Sequence, residues 1–205
     1  MKIVGFCGPF GAGKDSAASF LVEQGYNRVA FADPLREALL KLDPIVIASH
    51  GKSGISREDV PVTWCNRLSK LVDSVGWDEA KKSSDVRTHL QILGTDIVRE
   101  MFGYDAWVNL AYRRMEEMIL QGLPAKFAVT DVRFDNEADM IKDSGGLLIC
   151  ITGGKSDMSL PEMNHKSEKF DCLKHADFII ENDGTLQDLK DKVLEVCGIQ
   201  IPQEV

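Results

Sequence analysis

Three groups of residues in this chain have chemistry to offer: a lysine behind a run of glycines, two aspartates each trailed by an arginine, and a further arginine inside an apolar stretch. The first is Gly8-Pro-Phe-Gly-Ala-Gly13-Lys14, which fits the pattern G-x-x-x-x-G-K. It follows an apolar run and precedes helical spacing, the context in which such a loop works. Backbone N–H groups from Gly8, Gly11, Ala12 and Gly13 can converge on a phosphate there, because glycine lets the main chain come close. Lys14 would then reach the outer phosphates of a nucleotide as a point charge. The next residue is Asp15, where a hydroxyl for Mg²⁺ is usual, and Ser16 supplies a hydroxyl one position on. Asp15 and Ser16 are therefore candidate metal ligands, a carboxylate being a hard oxygen donor. Gly51-Lys52 and Gly154-Lys155 lack the glycine five residues earlier and carry no such meaning.

The second group sits where apolar runs end. Phe31-Ala-Asp33-Pro-Leu-Arg36 closes one run, and Val129-Thr-Asp131-Val-Arg133 closes another. Ligands of open α/β sheets gather beyond the carboxyl ends of the strands. Asp131 suits Mg²⁺ and Arg133 suits phosphate, while Asp33 also reads as a helix cap before Pro34. All nine arginines lie between Arg28 and Arg133, none after. Arg36 and Arg99 are the natural clamps for an anionic substrate, since guanidinium pairs bidentately with phosphate oxygens.

The elements that must hold these groups alternate. Lys2–Cys7 reads as a buried strand and 14–24 as a helix; 27–31 is a strand and 34–41 a helix. Helical spacing runs through 86–102 (Leu90, Leu93, Ile97, Met101) and 105–121 (Val108, Tyr112, Met115, Ile119). Strands follow at 126–130, 147–152 and 178–181, with helices at 136–143 and 186–196. Strand–helix alternation with short, wholly apolar strands predicts a three-layer α/β sandwich around a mostly parallel five-stranded sheet. Residues 1–205 are expected to form one domain, with a helical insertion at 44–86 and a loop at 153–168 that could close as a lid. The two tryptophans of the insertion, Trp64 and Trp77, could pack on a second subunit to make a homodimer.

Composition narrows the partners. The 24 Lys+Arg against 32 Asp+Glu leave a net charge of −8, which argues against polymeric nucleic acid and anionic membranes. With no signal sequence and no apolar run of 18 residues, a cytoplasmic protein is expected. The five cysteines are widely spaced with no C-x-x-C pair, which predicts reduced thiols, with Cys7 and Cys150 as core filler.

Taken together the motifs resemble phage-type deoxynucleoside monophosphate kinases of the P-loop kinase superfamily. The likeness rests on Gly13-Lys-Asp-Ser16, Phe31-Ala-Asp-Pro-Leu-Arg36, Leu90-Gln-Ile-Leu-Gly-Thr-Asp-Ile-Val-Arg99 leading to Trp107, and Thr130-Asp-Val-Arg-Phe-Asp-Asn-Glu137. His165-Lys-Ser-Glu168 and Asn182-Asp-Gly-Thr-Leu-Gln-Asp-Leu189 extend it, the last being shared with dephospho-coenzyme A kinases. The resemblance implies a nucleoside monophosphate kinase-like P-loop fold that moves the ATP γ-phosphoryl to a deoxynucleoside 5′-monophosphate with Mg²⁺, in a phage-encoded case in the host cytoplasm. It implies that Lys14, Asp15 and Ser16 hold ATP and Mg²⁺, that Asp33, Arg36 and Arg99 hold the acceptor, and that Asp131 and Arg133 serve the phosphates. Trp107 would lie near the acceptor base and His165 in the lid. The family often has an arginine after the strand before the lid, whereas Gly153-Gly-Lys155 stands here. Two other readings compete: a dephospho-coenzyme A or other small-metabolite kinase, and a non-catalytic nucleotide-dependent switch.

Overall fold

The computed structural model describes residues 1–52, 61–154 and 170–199. In chain order its strands are β1 (Lys2–Cys7), β2 (Asn27–Val29), β3 (Ile45–Lys52), β4 (Pro61–Arg67), β5 (Lys126–Val129), β6 (Leu147–Gly153) and β7 (Phe178–Asn182). The helices are α1 (Lys14–Glu23), α2 (Asp33–Leu42), α3 (Leu68–Ala80), α4 (Ser84–Gln91), a π-helical segment (Ile92–Arg99), α5 (Glu100–Phe102), α6 (Ala106–Leu120), α7 (Asp135–Asp143), α8 (Cys172–His175) and α9 (Leu186–Val196). The chain divides into two compact units, Met1–Phe31 with Val108–Val205, and Ala32–Trp107.

The first unit is the three-layer sandwich that strand–helix alternation implies. Its five strands run in the order β2-β5-β1-β6-β7, every neighbouring pair parallel. Successive side chains of a strand point to opposite faces, so the continuous apolar run of β1 feeds two cores. Val4 and Phe6 pack with Phe20 and Leu21 of α1 and Leu189 and Val193 of α9. Ile3 and Cys7 pack with Ala111 and Met115 of α6 and Ile141 of α7. α9 starts on a full capping box, in which the Thr185 side chain accepts from the Asp188 N–H and Asp188 accepts from the Thr185 N–H.

The second unit departs from the expected helical insertion. β3 and β4 pair antiparallel as a two-stranded sheet, with Ile45 opposite Arg67. Leu39 of α2, Val46, Leu68, Leu71 and Val86 form its own core.

The cysteines need a correction. Cys7 and Cys172 form a disulfide across a separation of 165 residues, while Cys65, Cys150 and Cys197 are free. Wide spacing says nothing against pairing when a parallel sheet and a late helix bring distant segments together. Cys150 is core filler as expected, fully buried beside β1.

Candidate active site

β1 ends at Cys7, and the chain turns at once into the glycine loop. Gly8 has a φ of 131°, and a Cβ there would run into the Ile151 carbonyl oxygen of the neighbouring strand. Only glycine permits that approach. The loop is held on its far side by Asn182, at the end of β7, whose Nδ2 donates to the Ala12 carbonyl at 2.9 Å. Gly154 donates its N–H to the Asn182 carbonyl at 2.9 Å, so one residue ties β6, β7 and the loop together. α1 then begins at Lys14, and the amides of its first turn have no earlier carbonyl in the helix to bond. That end of the helix favours an anion.

Lys14 Nζ donates to the Gly8 carbonyl at 2.9 Å and the Pro9 carbonyl at 2.7 Å, lying back across its own loop. Burial first and the Arg133 guanidinium second lower its pKa from 10.5 to about 8, against the opposite pull of Asp15, Asp131 and Cys150. Four of the groups singled out in the sequence are thus brought into one electrostatic neighbourhood: Lys14, Asp15, Asp131 and Arg133. Asp15 and Arg133 are exposed and Ser16 is half-buried. Asp131 Oδ1 accepts the Phe31 N–H at 2.8 Å, which fixes the aspartate at the ends of β2 and β5. The Arg133 N–H donates to Glu137 Oε2 at 2.8 Å, with Glu137 buried at the start of α7. Glu137 and Asn182 are supporting residues whose jobs the sequence left unassigned, although both stand inside quoted motifs. The oxygens of Asp15, Ser16 and Asp131 are the hard donors that Mg²⁺ takes.

The remaining expected residues lie on the second unit. Asp33 and Arg36, one turn apart at the start of α2, form an ion pair at 3.5 Å, and Arg36 also lies 6.0 Å over the Trp77 ring. Arg99 ends the π-helical segment and is 8% exposed. It donates from Nη1 to the Tyr104 carbonyl at 3.1 Å and lies 5.2 Å over the Tyr104 ring. Gly94, in the same segment, would place a Cβ 3.0 Å from Leu35 Cδ2. A glycine there seats the segment close on α2, so that the helix of Asp33 and Arg36 and the segment of Arg99 pack as one piece. Trp107 is buried and its Nε1 donates to the Gly94 carbonyl at 2.8 Å. The indole thereby binds the π-helical segment directly. His165, with Lys155 and Lys166 and nearly all of the expected lid, lies outside the described residues.

The family model of deoxynucleotide monophosphate kinase matches residues 50–193. A protein of Acanthamoeba polyphaga mimivirus named for that activity is 28% identical over 214 residues, covering 95% of each chain. The deoxynucleotide monophosphate kinase of Escherichia phage RB69 is 25% identical, covering 84% of this chain and 72% of its own. Among solved structures, a dephospho-CoA kinase from Campylobacter jejuni matches with a TM-score of 0.49 and 19% identity, covering 97% of this chain and 96% of that one.

Proposed function

The chain belongs to the deoxynucleotide monophosphate kinase family, and from that premise we propose that it moves the γ-phosphoryl group of ATP to a deoxynucleoside 5′-monophosphate, with the work divided among its own residues as follows. The observation that carries this is the loop 8–14, with Lys14 gathered beside Asp15, Asp131 and Arg133. ATP phosphates would lie on the loop amides of Gly8, Gly11, Ala12 and Gly13 and on the first turn of α1. Lys14 would leave the Gly8 and Pro9 carbonyls for the β- and γ-phosphates. Asp15, Ser16 and Asp131 would hold Mg²⁺, directly or through water; the ion supplies charge neutralisation at the phosphate oxygens. Arg133 would add a guanidinium to the same phosphates.

A monophosphate acceptor attacks through an oxygen already anionic at neutral pH. Such a reaction needs alignment and cations more than a base. We assign the acceptor phosphate to Arg36 and Arg99. Asp33 now holds Arg36, and an incoming phosphate would take over part of that pairing. Asp33 would accept from a sugar hydroxyl in turn. Buried Trp107 is assigned a supporting place under the π-helical segment, where it keeps Arg99 in register. This revises the expectation that its ring meets the base. With relatives from a phage and a giant virus, the host cytoplasm is the proposed place of work.

The test is a panel of deoxy and ribo monophosphates with Mg·ATP and the purified chain. Diphosphate product from at least one deoxynucleotide is expected, with most of the activity lost in Lys14→Ala. Phosphorylation of dephospho-coenzyme A alone would move the chain to the other kinase class. ATP hydrolysis indifferent to every acceptor would make it a switch.

A further inference from the structure

β1 and β6 are paired in parallel with Cys7 directly opposite Cys150. Register partners on adjacent strands project to the same face, so the two sulphurs share one side of the sheet. Cys172, the first residue of α8, lies over that face and is bonded to Cys7. The Sγ atoms of all three lie within 4.8 Å of one another. A structural disulfide has no use for a third thiol at that distance. Exchange does, because a disulfide is opened by a thiolate that reaches one of its sulphurs.

Exposure and anchoring complete the arrangement. Cys7 and Cys150 are fully buried and Cys172 is only partly buried, so of the three sulphurs it is the Cys172 sulphur that a reagent from solution reaches first. α8 does not depend on the disulfide for its place. Asp177, just beyond it, donates its N–H to the Leu148 carbonyl at 2.8 Å and accepts the Leu148 N–H at 2.8 Å. His175 Nε2 lies 3.1 Å from Asp135 Oδ1, and its ring stacks on Phe170. When the bond to Cys7 opens, Cys172 therefore stays above the two strands, within reach of Cys150.

We propose that Cys7, Cys150 and Cys172 form a thiol–disulfide exchange site, in which one disulfide passes between Cys172–Cys7 and Cys172–Cys150 and is opened at Cys172 by small thiols of the glutathione class. An external thiolate attacks Cys172 Sγ; the bond to Cys7 breaks, and Cys7 leaves as a thiolate that takes up a proton. Cys150, having given up its proton, attacks the same Cys172 sulphur and expels the small thiolate. The disulfide has moved with no net oxidation, and Cys7 has gained the proton Cys150 lost. If a second small thiol resolves the mixed disulfide instead, three protein thiols and one small disulfide result. Burial pushes the Cys150 thiol upward and Asp171 adds to this, while the Lys14 ammonium opposes both. The exchange is thus slow at neutral pH, and its electrostatics are shared with the phosphate loop. Its covalent outcome sits on Cys7, immediately before Gly8.

The test uses the full chain in glutathione buffers of graded redox state, quenched in acid, alkylated and mapped by peptide mass spectrometry. Wild type is expected to yield both Cys7–Cys172 and Cys150–Cys172. Cys150→Ser should yield only the first, and Cys7→Ser only the second. Finding Cys7–Cys172 alone in wild type at every ratio, or all five cysteines alkylated at every ratio, overturns the proposal. So does a Cys7→Ser protein that keeps a lasting glutathione adduct on Cys172 beside a free Cys150. The wild-type map decides the matter even where a variant fails to fold.

Discussion

Lys14→Met tests whether the fold holds a charge at a cost to itself. The ammonium of Lys14 has a pKa near 8 against its ordinary 10.5, chiefly through burial and then through Arg133. That difference corresponds to about 3 kcal/mol of folded-state destabilisation while the group is charged. The sign follows from proton counting. Below pH 8 both folded and unfolded chains carry the proton, and the native state bears the full cost. Between 8 and 10.5 the unfolded chain holds more protons, so wild-type stability rises with pH relative to a variant lacking the amine. Urea unfolding of both proteins at pH 7, 9 and 10 reads this directly, because every other titrating group is common to the two. The gap should move in favour of wild type by about 1.4 kcal/mol at pH 9 and about 2.5 kcal/mol at pH 10, relative to pH 7. A gap equal at pH 7 and pH 10 would refute the reasoning, and Lys14 would then be an ordinary solvated lysine. The expected result ties stability to function: the loop keeps a cation partly stripped of water for an anionic ligand that restores its solvation.

The other expectations rest on single contacts. Arg99→Ala should raise the KM for the monophosphate far more than that for ATP; equal rises in both would remove Arg99 from the acceptor site. Trp107→Phe deletes the bond to the Gly94 carbonyl and should cost about 1 kcal/mol, read as a lower urea midpoint, with acceptor KM rising in parallel. An unchanged acceptor KM would separate the indole from Arg99. Asn182→Ala frees the Ala12 carbonyl and should raise the KM for ATP several-fold with little change for the acceptor, in steady-state assays with each substrate varied. The Cys7–Cys172 bond closes a long loop and contributes about 5 kcal/mol in the chain-entropy account. Reduction should therefore lower Tm by on the order of 10 °C, and a melting curve indifferent to dithiothreitol would count against the bond.

How far the sequence could be read differs between the units for physical reasons. β1 and α9 were legible because one interaction dominates each: a strand buried on both faces must be apolar throughout, and a capped amphipathic helix shows its caps and spacing. The β3–β4 pair was not. β3 opens with Ile45-Val-Ile and then shifts register between Ile47 and Ser49, so no sustained alternation marks it. The helical spacing Leu90, Leu93, Ile97, Met101 was real but misleading about burial. Ile97 is 38% exposed and Met101 72%, whereas Gly94, Thr95 and Arg99 are buried. A π turn takes more residues than an α turn, so residues four apart drift off the face they would share in an α-helix. The buried arginine that results is the residue of that stretch with most chemistry to offer, and hydrophobic periodicity has no means of finding it. The disulfide is hidden for a similar reason. The path of the chain after β6, anchored where the Asp177 N–H meets the Leu148 carbonyl, brings Cys172 onto Cys7, and nothing near either residue records it.

The family match begins at residue 50 and so leaves out residues 8–14 altogether. The family match thus rests on residues beyond the phosphate loop, which many nucleotide-binding proteins would supply in the same form. The distinguishing stretch takes in the π-helical segment with Arg99, the indole beneath it, and the turn from Asp131 to Glu137. In two of them a basic residue is held by a neighbour: Arg99 by the carbonyl and ring of Tyr104, and the Arg133 main chain by buried Glu137. Generic chemistry, a lysine and a ring of amides, can bind a triphosphate on any such loop. Selecting one acceptor requires cations fixed to within a fraction of an ångström, and fixing them takes particular neighbours. On the proposed assignment, selectivity should therefore respond to substitutions at Tyr104 and Glu137 more than to conservative changes in the loop. Tyr104→Ala is expected to flatten the ranking of monophosphates in the acceptor panel while leaving the KM for ATP near its wild-type value. A Tyr104→Ala protein that kept the wild-type ranking would show that Arg99 is positioned by its helix alone.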